Sequence, residues 1–145
     1  QRADLALDAM AEGCTHILFI DSDMTFPQDM VGRLLKHDLD IVATNCARRR
    51  MPTGPTAQNY KADGTRELVY TMPESTGIEE VGSIGMGVML IKRNVFEKLS
   101  EPWFETPFSS VVKRRRQGLK STLTMTLAKR LVTLARLNSS TTIHG

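Results

Sequence analysis

The chain has 145 residues, 41% of them apolar and 24% charged, a balance ordinary for one folded domain and one that excludes wholesale disorder. No apolar run is long enough to cross a bilayer and no signal-peptide pattern opens the sequence. With two cysteines, too few for a disulfide framework, the expected location is cytoplasmic, or peripheral to a membrane. The first residue, Gln1, stands in what reads as the middle of a helix, so a fragment is expected. The net charge of +3 hides an asymmetry. Residues 1–105 hold all 16 acids against 11 Lys and Arg, a net of −5, whereas residues 106–145 hold eight basic residues and no acid. The expected division is an acidic domain over 1–105 and a basic tail over 106–145.

In chain order, residues 2–12 place Leu5, Ala6, Ala9 and Met10 on one helical face, with Gly13 as the stop. "HILFI" (16–20) reads as a strand buried on both faces of a parallel sheet. Thr25 is placed to cap a helix carrying Pro27 in its first turn, running to about His37 and burying Met30, Leu34 and Leu35. "DIVATN" (40–45) is a second strand, and this helix–strand alternation predicts an α/β layered fold. Residues 46–58 form a loop broken by Pro and Gly that holds Arg48, Arg49 and Arg50. "ADG" (62–64) predicts a hairpin turn. The stretch "VGSIGMGVMLIKR" (81–93) is a glycine-rich approach to an apolar strand, and Asn94 is placed to cap the short helix that follows.

Asp21 and Asp23 directly follow the first apolar strand. On an extended backbone, side chains two apart point the same way. At the carboxyl end of a strand in an open sheet, that direction is where ligands bind. Two adjacent carboxylates repel unless a cation lies between them. Hard oxygen ligands in small number suit Mg²⁺ or Mn²⁺, which keep waters and accept phosphate oxygens. The residues therefore predict a metal clamp for a phosphorylated ligand. The alternative is that both are solvated acids at a helix start.

Residues 15–50, "THILFIDSDMTFPQDMVGRLLKHDLDIVATNCARRR", followed by "VGSIGMGVMLIKRNVFEKLSEPWFE" at 81–105, resemble the GT-A glycosyltransferases in their family-two-like bacterial and phage branch. The resemblance implies an incomplete GT-A, Rossmann-like nucleotide-diphospho-sugar transferase fold, with a mostly parallel sheet flanked by helices. It implies sugar transfer from a nucleotide-sugar donor to a glycan, lipid-linked or protein acceptor, with Mn²⁺ or Mg²⁺ as cofactor. Asp21 would contact the donor nucleotide, and Asp23 would hold the metal bridging the diphosphate. Arg48, Arg49 and Arg50 would add positive charge on the donor side, or else stand as a solvated loop edge. Gly82, Gly85 and Gly87 resemble the acceptor-side loop, where small residues admit a sugar; a tight turn into a buried strand is the alternative. Trp103 would stack on the acceptor sugar, or pack in the core with Phe104. His16 and His37 have no second metal ligand at suitable spacing, and Cys14 and Cys46 read as buried thiols.

The family's downstream Glu-Asp pair, whose carboxylate acts as general base, has no counterpart, because no acid follows Glu105. The tail reads as out-of-frame translation. One base earlier, the codons of Met125–Thr126 necessarily encode an aspartate, and those of residues 120–135 permit a peptide resembling the family's closing strand and metal-side histidine. Two rivals stand beside sugar transfer. "DSDMT" (21–25) fits the D-x-D-x-T of haloacid-dehalogenase-type phosphatases, which also need a later lysine such as Lys92 or Lys98 and a second acidic pair. The basic tail alone would suit a nucleic-acid-binding module; sugar transfer involves no nucleic acid.

Overall fold

A computed structural model describes residues 1–48 and 51–104 and the backbone of the strand at 133–135. Helix α1 (Arg2–Ala11) turns through Gly13, whose φ of +76° only glycine adopts without strain, into β1 (His16–Ile20). Helix α2 (Met30–Lys36) leads to β2 (Ile41–Thr44). Strands β3 (Gln58–Tyr60) and β4 (Arg66–Leu68) form the expected hairpin about the Asp-Gly turn. Strand β5 (Ile78–Glu80) precedes β6 (Val88–Lys92) and α3 (Arg93–Lys98), and β7 (Thr133–Ala135) completes the set.

The mostly parallel, Rossmann-like sheet expected of an incomplete GT-A fold is not what forms. The five-stranded sheet has the order β1-β6-β2-β7-β5. Pairs β1/β6, β2/β6 and β5/β7 are antiparallel and β2/β7 is parallel, so the sheet is mixed, and β3/β4 stand apart as a second, two-stranded sheet. The alternation of helix and strand does send β1 and β2 in the same direction. They are not bonded to each other, because β6 enters from far along the chain and wedges between them, antiparallel to both.

That wedge organises the core. Along β6, Val88 and Leu90 point to one face and Met89 and Ile91 to the other, and all four are buried. The first face packs with Val42 against Met30 and Leu34 of α2. The second packs with Ile17, Phe19 and Ala43 against Ala6 of α1 and Val95 and Phe96 of α3. Ala57, Val69 and Val81 form a small third cluster beneath the hairpin. Strand β1 is buried on one face and half-buried on the other: Ile17 and Phe19 are buried, Leu18 packs partly buried against the α2-side cluster, and Ile20 at the strand's end is 39% exposed. Among the described strands it lies at the edge of the sheet.

Three local expectations need correction. Helix α2 starts at Met30, with Asp29 at its N-cap rather than Thr25, and Pro27 lies in the preceding turn, its carbonyl accepting from the Met30 N–H at 3.0 Å. Leu35 is 43% exposed, because the sheet takes up only the Met30–Leu34 stripe of so short a helix. Asn94 is not a cap: α3 begins at Arg93, directly after β6, and the buried Asn94 Oδ1 lacks a hydrogen-bond partner among the described residues.

Candidate functional site

Strand β1 ends at Ile20, and the chain folds at once into a turn closed by the Met24 N–H donating to the Asp21 carbonyl at 3.1 Å. The Asp21 N–H donates to the Gly87 carbonyl at 2.9 Å, which ties the turn to the entry of β6. Asp21 and Asp23 therefore stand in a tight turn and not on an extended strand. The segment after β2 closes on itself: Thr56 N–H donates to the Cys46 carbonyl at 2.9 Å and Arg48 N–H to the Gly54 carbonyl at 2.8 Å.

These segments enclose an open cleft of about 440 Å³. Asp21, Ser22, Asp23 and Met24 form one wall, Cys46, Ala47 and Thr56 the second, and Gly85, Met86 and Gly87 the third. The cleft stands where β1 and β2 end and the antiparallel β6 begins, outside the carboxyl ends of β1 and β2. Four residues singled out in the sequence, Asp21, Asp23, Gly85 and Gly87, thus meet in one concavity.

The others are placed differently. Arg48 does not line this cleft, and Arg49 and Arg50 lie outside the described residues. Trp103 packs in the core: its ring meets Phe96 edge-on with centroids 5.1 Å apart, and its indole N–H donates to the Leu99 carbonyl at 3.0 Å. Phe104 similarly meets Phe19 at 5.4 Å. Gly82 sits against Tyr60, where an added Cβ would come within 2.8 Å of the ring. Glu105 and the tail from 106 on, with the out-of-frame and nucleic-acid readings that concern it, lie outside the described residues apart from the backbone of β7. Lys92 pairs with His16 across the sheet, at the end opposite the cleft, and its Nζ lies 2.7 Å from Asp38 Oδ1. That places it away from the aspartates a phosphatase would need it beside.

The cleft glycines have a packing reason that sequence patterns do not reveal. A Cβ on Gly85 would come within 2.9 Å of the Thr56 Cβ, and one on Gly87 within 3.1 Å of the Cys46 Sγ. Both keep the second and third walls in contact. The Cys46 Sγ is itself held 3.3 Å from the Thr44 hydroxyl.

One charged neighbour was not anticipated. Arg2, the first residue of α1, places its Nη2 3.0 Å from Asp21 Oδ1. A separation of 19 residues hides this pair from any local pattern.

Carboxylate oxygens are the donor type that Mg²⁺ or Mn²⁺ takes, and Asp21 and Asp23 both line the cleft, with one Asp21 oxygen engaged by Arg2. They do not make a closed structural centre: among the described residues, no three His, Cys, Asp or Glu side chains gather. No helix among the described residues is long and apolar enough to cross a membrane.

Fold and site together define a small mixed-sheet α/β protein with an acidic cleft at its strand ends. The structure is similar to the crystal structure of A197 from STIV, with a TM-score of 0.50 and 18% sequence identity over 90% of this chain. The chain spans 60% of that protein's length, and at this identity the likeness concerns the fold alone. No protein-family model matches the chain, and no curated protein matches it.

Proposed function

We propose that the cleft binds the diphosphate of a nucleotide-sugar donor through a divalent cation, and that the protein belongs to a sugar-transfer system acting on a glycan, lipid-linked or protein acceptor. One observation carries this reading: Asp21 and Asp23 line a single cleft at the carboxyl ends of two strands, with Gly85, Met86 and Gly87 on another of its walls. Asp23 would hold Mn²⁺ or Mg²⁺, and Asp21 would face the nucleotide side. When bound, the cation acts as a Lewis acid on the departing nucleoside diphosphate. The residues of this chain hold the cation, orient the donor against the glycine wall and shield one side of it with Met24 and Met86. The general base for the acceptor hydroxyl would come from outside residues 1–104.

The test is calorimetric titration of Mn²⁺ and then of nucleoside diphosphates into the 145-residue chain. The expected result is diphosphate binding that needs Mn²⁺ and weakens at least tenfold in Asp23→Asn, about the effect of a lost charged contact in a cleft. Equal binding by Asp23→Asn, or binding indifferent to metal, would overturn the proposal.

A further inference from the structure

A second concavity, of about 310 Å³, lies between the hairpin and the end of β5, lined by Asn59, Tyr60, Glu80, Val81 and Gly82. Tyr60 is its aromatic wall. One edge of the ring lies against Gly82, which has no side chain to cover it: an added Cβ would stand 2.8 Å from Cδ2 and 3.3 Å from Cε2. At the far end of the ring the phenol oxygen is 3.3 Å from Ser83 Oγ and 3.4 Å from Gln58 Nε2. Gln58 and Ser83 are themselves joined by two backbone hydrogen bonds of 2.9 Å, so the ring is held in place before any ligand arrives. Asn59 Oδ1 accepts from the Gly82 N–H at 2.8 Å. A backbone N–H can only donate, so the amide must turn its oxygen to Gly82 and keep the two donors of its NH2 group for another partner. Among the described residues that group has none. The Glu80 carboxylate, exposed and able only to accept, likewise makes no hydrogen bond or ion pair among the described residues.

We propose that this pocket binds a sugar ring of a glycan. An aromatic ring, unpaired amide donors and a carboxylate acceptor around one concavity match a saccharide, which offers an apolar C–H face and neighbouring hydroxyls that each donate and accept. Tyr60 lies along the C–H face, the Asn59 NH2 donates to one hydroxyl, and the Glu80 carboxylate accepts from another. Other ligands fit less of the set. An ammonium group suits Tyr60 and Glu80 but meets the positive end of the Asn59 amide; a phosphate is repelled by Glu80. The assignment goes beyond the donor cleft and does not depend on what that cleft binds, since no residue lines both concavities. A single ring in so open a pocket makes few contacts, so the affinity for a monosaccharide is weak, with a Kd of about 1–10 mM.

The test is an NMR titration of the nitrogen-15-labelled 145-residue chain with glucose, galactose, mannose and N-acetylglucosamine, each to about 50 mM. At least one sugar should move the amide signals of Tyr60 and Gly82 and the side-chain NH2 signal of Asn59, while those of Ser22 and Met24 in the cleft stay in place. Asn59→Asp keeps the oxygen that holds Gly82 and removes the donors; Glu80→Gln keeps the shape of an exposed side chain and removes its charge. Each should weaken binding of that sugar at least threefold with the rest of the amide spectrum preserved. If none of the sugars moves these signals, the proposal is overturned. It is equally overturned if both variants bind the sugar as wild type does, or if lysine amide moves the same signals at lower concentration than any sugar, which marks a cation site instead.

Discussion

Gly85→Ala separates two reasons for a glycine on the cleft wall. If Gly85 only leaves room for a sugar, an added methyl meets nothing in the unliganded protein. The apo form should then gain about 0.4–1 kcal/mol, because alanine restricts the unfolded chain. The structure predicts the opposite sign. The new Cβ would sit 2.9 Å from the Thr56 Cβ, 3.0 Å from its Cγ2 and 3.2 Å from its Oγ1, well inside the roughly 3.5–4.0 Å optimum for carbon contacts. Thr56 cannot swing clear cheaply. It is β-branched, with few χ1 positions, and its N–H is bound to the Cys46 carbonyl at 2.9 Å. Overpacking of this kind costs about 1–3 kcal/mol. After the entropic gain, the net is a destabilisation of about 1–2 kcal/mol, or about 4–10 °C in melting temperature for a folded unit near 100 residues. Urea unfolding in metal-free buffer, followed by the fluorescence of Trp103, the single tryptophan, measures it directly. In a Thr56→Gly background the contacted atoms are gone, and Gly85→Ala should lose about 1 kcal/mol or more of its cost. An apo Gly85→Ala protein more stable than wild type would refute the steric argument.

Three other outcomes are expected. Leu34→Ala should cost about 2–5 kcal/mol in urea unfolding, while Leu35→Ala one residue on should cost under about 1 kcal/mol, since Leu34 is 1% and Leu35 43% exposed. The Asp38 carboxyl titrates below its ordinary value of 3.8 because the Lys92 ammonium hydrogen-bonds to it and adds Coulombic attraction. That stabilisation is present above the unfolded value and lost as pH falls through the folded one, so Lys92→Met should raise the Asp38 midpoint in an NMR titration and leave stability near neutral pH little changed. Trp103→Ala should destabilise the protein by about 2–4 kcal/mol in thermal melts by circular dichroism, through lost packing on Phe96, and leave pyrophosphate affinity within twofold of wild type.

Much of the local chemistry was legible in the sequence by itself. Apolar runs bounded by Gly, Pro and Asp marked β1, β2 and β6, because a strand must bury its side chains and a turn needs permissive or capping residues. Asp-Gly marked the hairpin for the same reason, and the acid pair after β1 marked the cleft. Strand β5, exposed at Ile78 and carrying two glutamates, has no apolar signal and was not anticipated. Which strands pair, and in which direction, was decided only by the tertiary structure. The alternation of helices and strands is equally compatible with β1 bonded to β2 and with β6 wedged between them, since hydrogen-bond partners far apart in the chain leave no local trace. The same holds at the site. The D-x-D spacing exposed the acids but suggested an extended backbone where there is a turn, and nothing near residue 2 pointed to Asp21. Arg2 reaches it because a ten-residue helix and a five-residue strand have nearly equal lengths, and equal lengths laid side by side bring their far ends together.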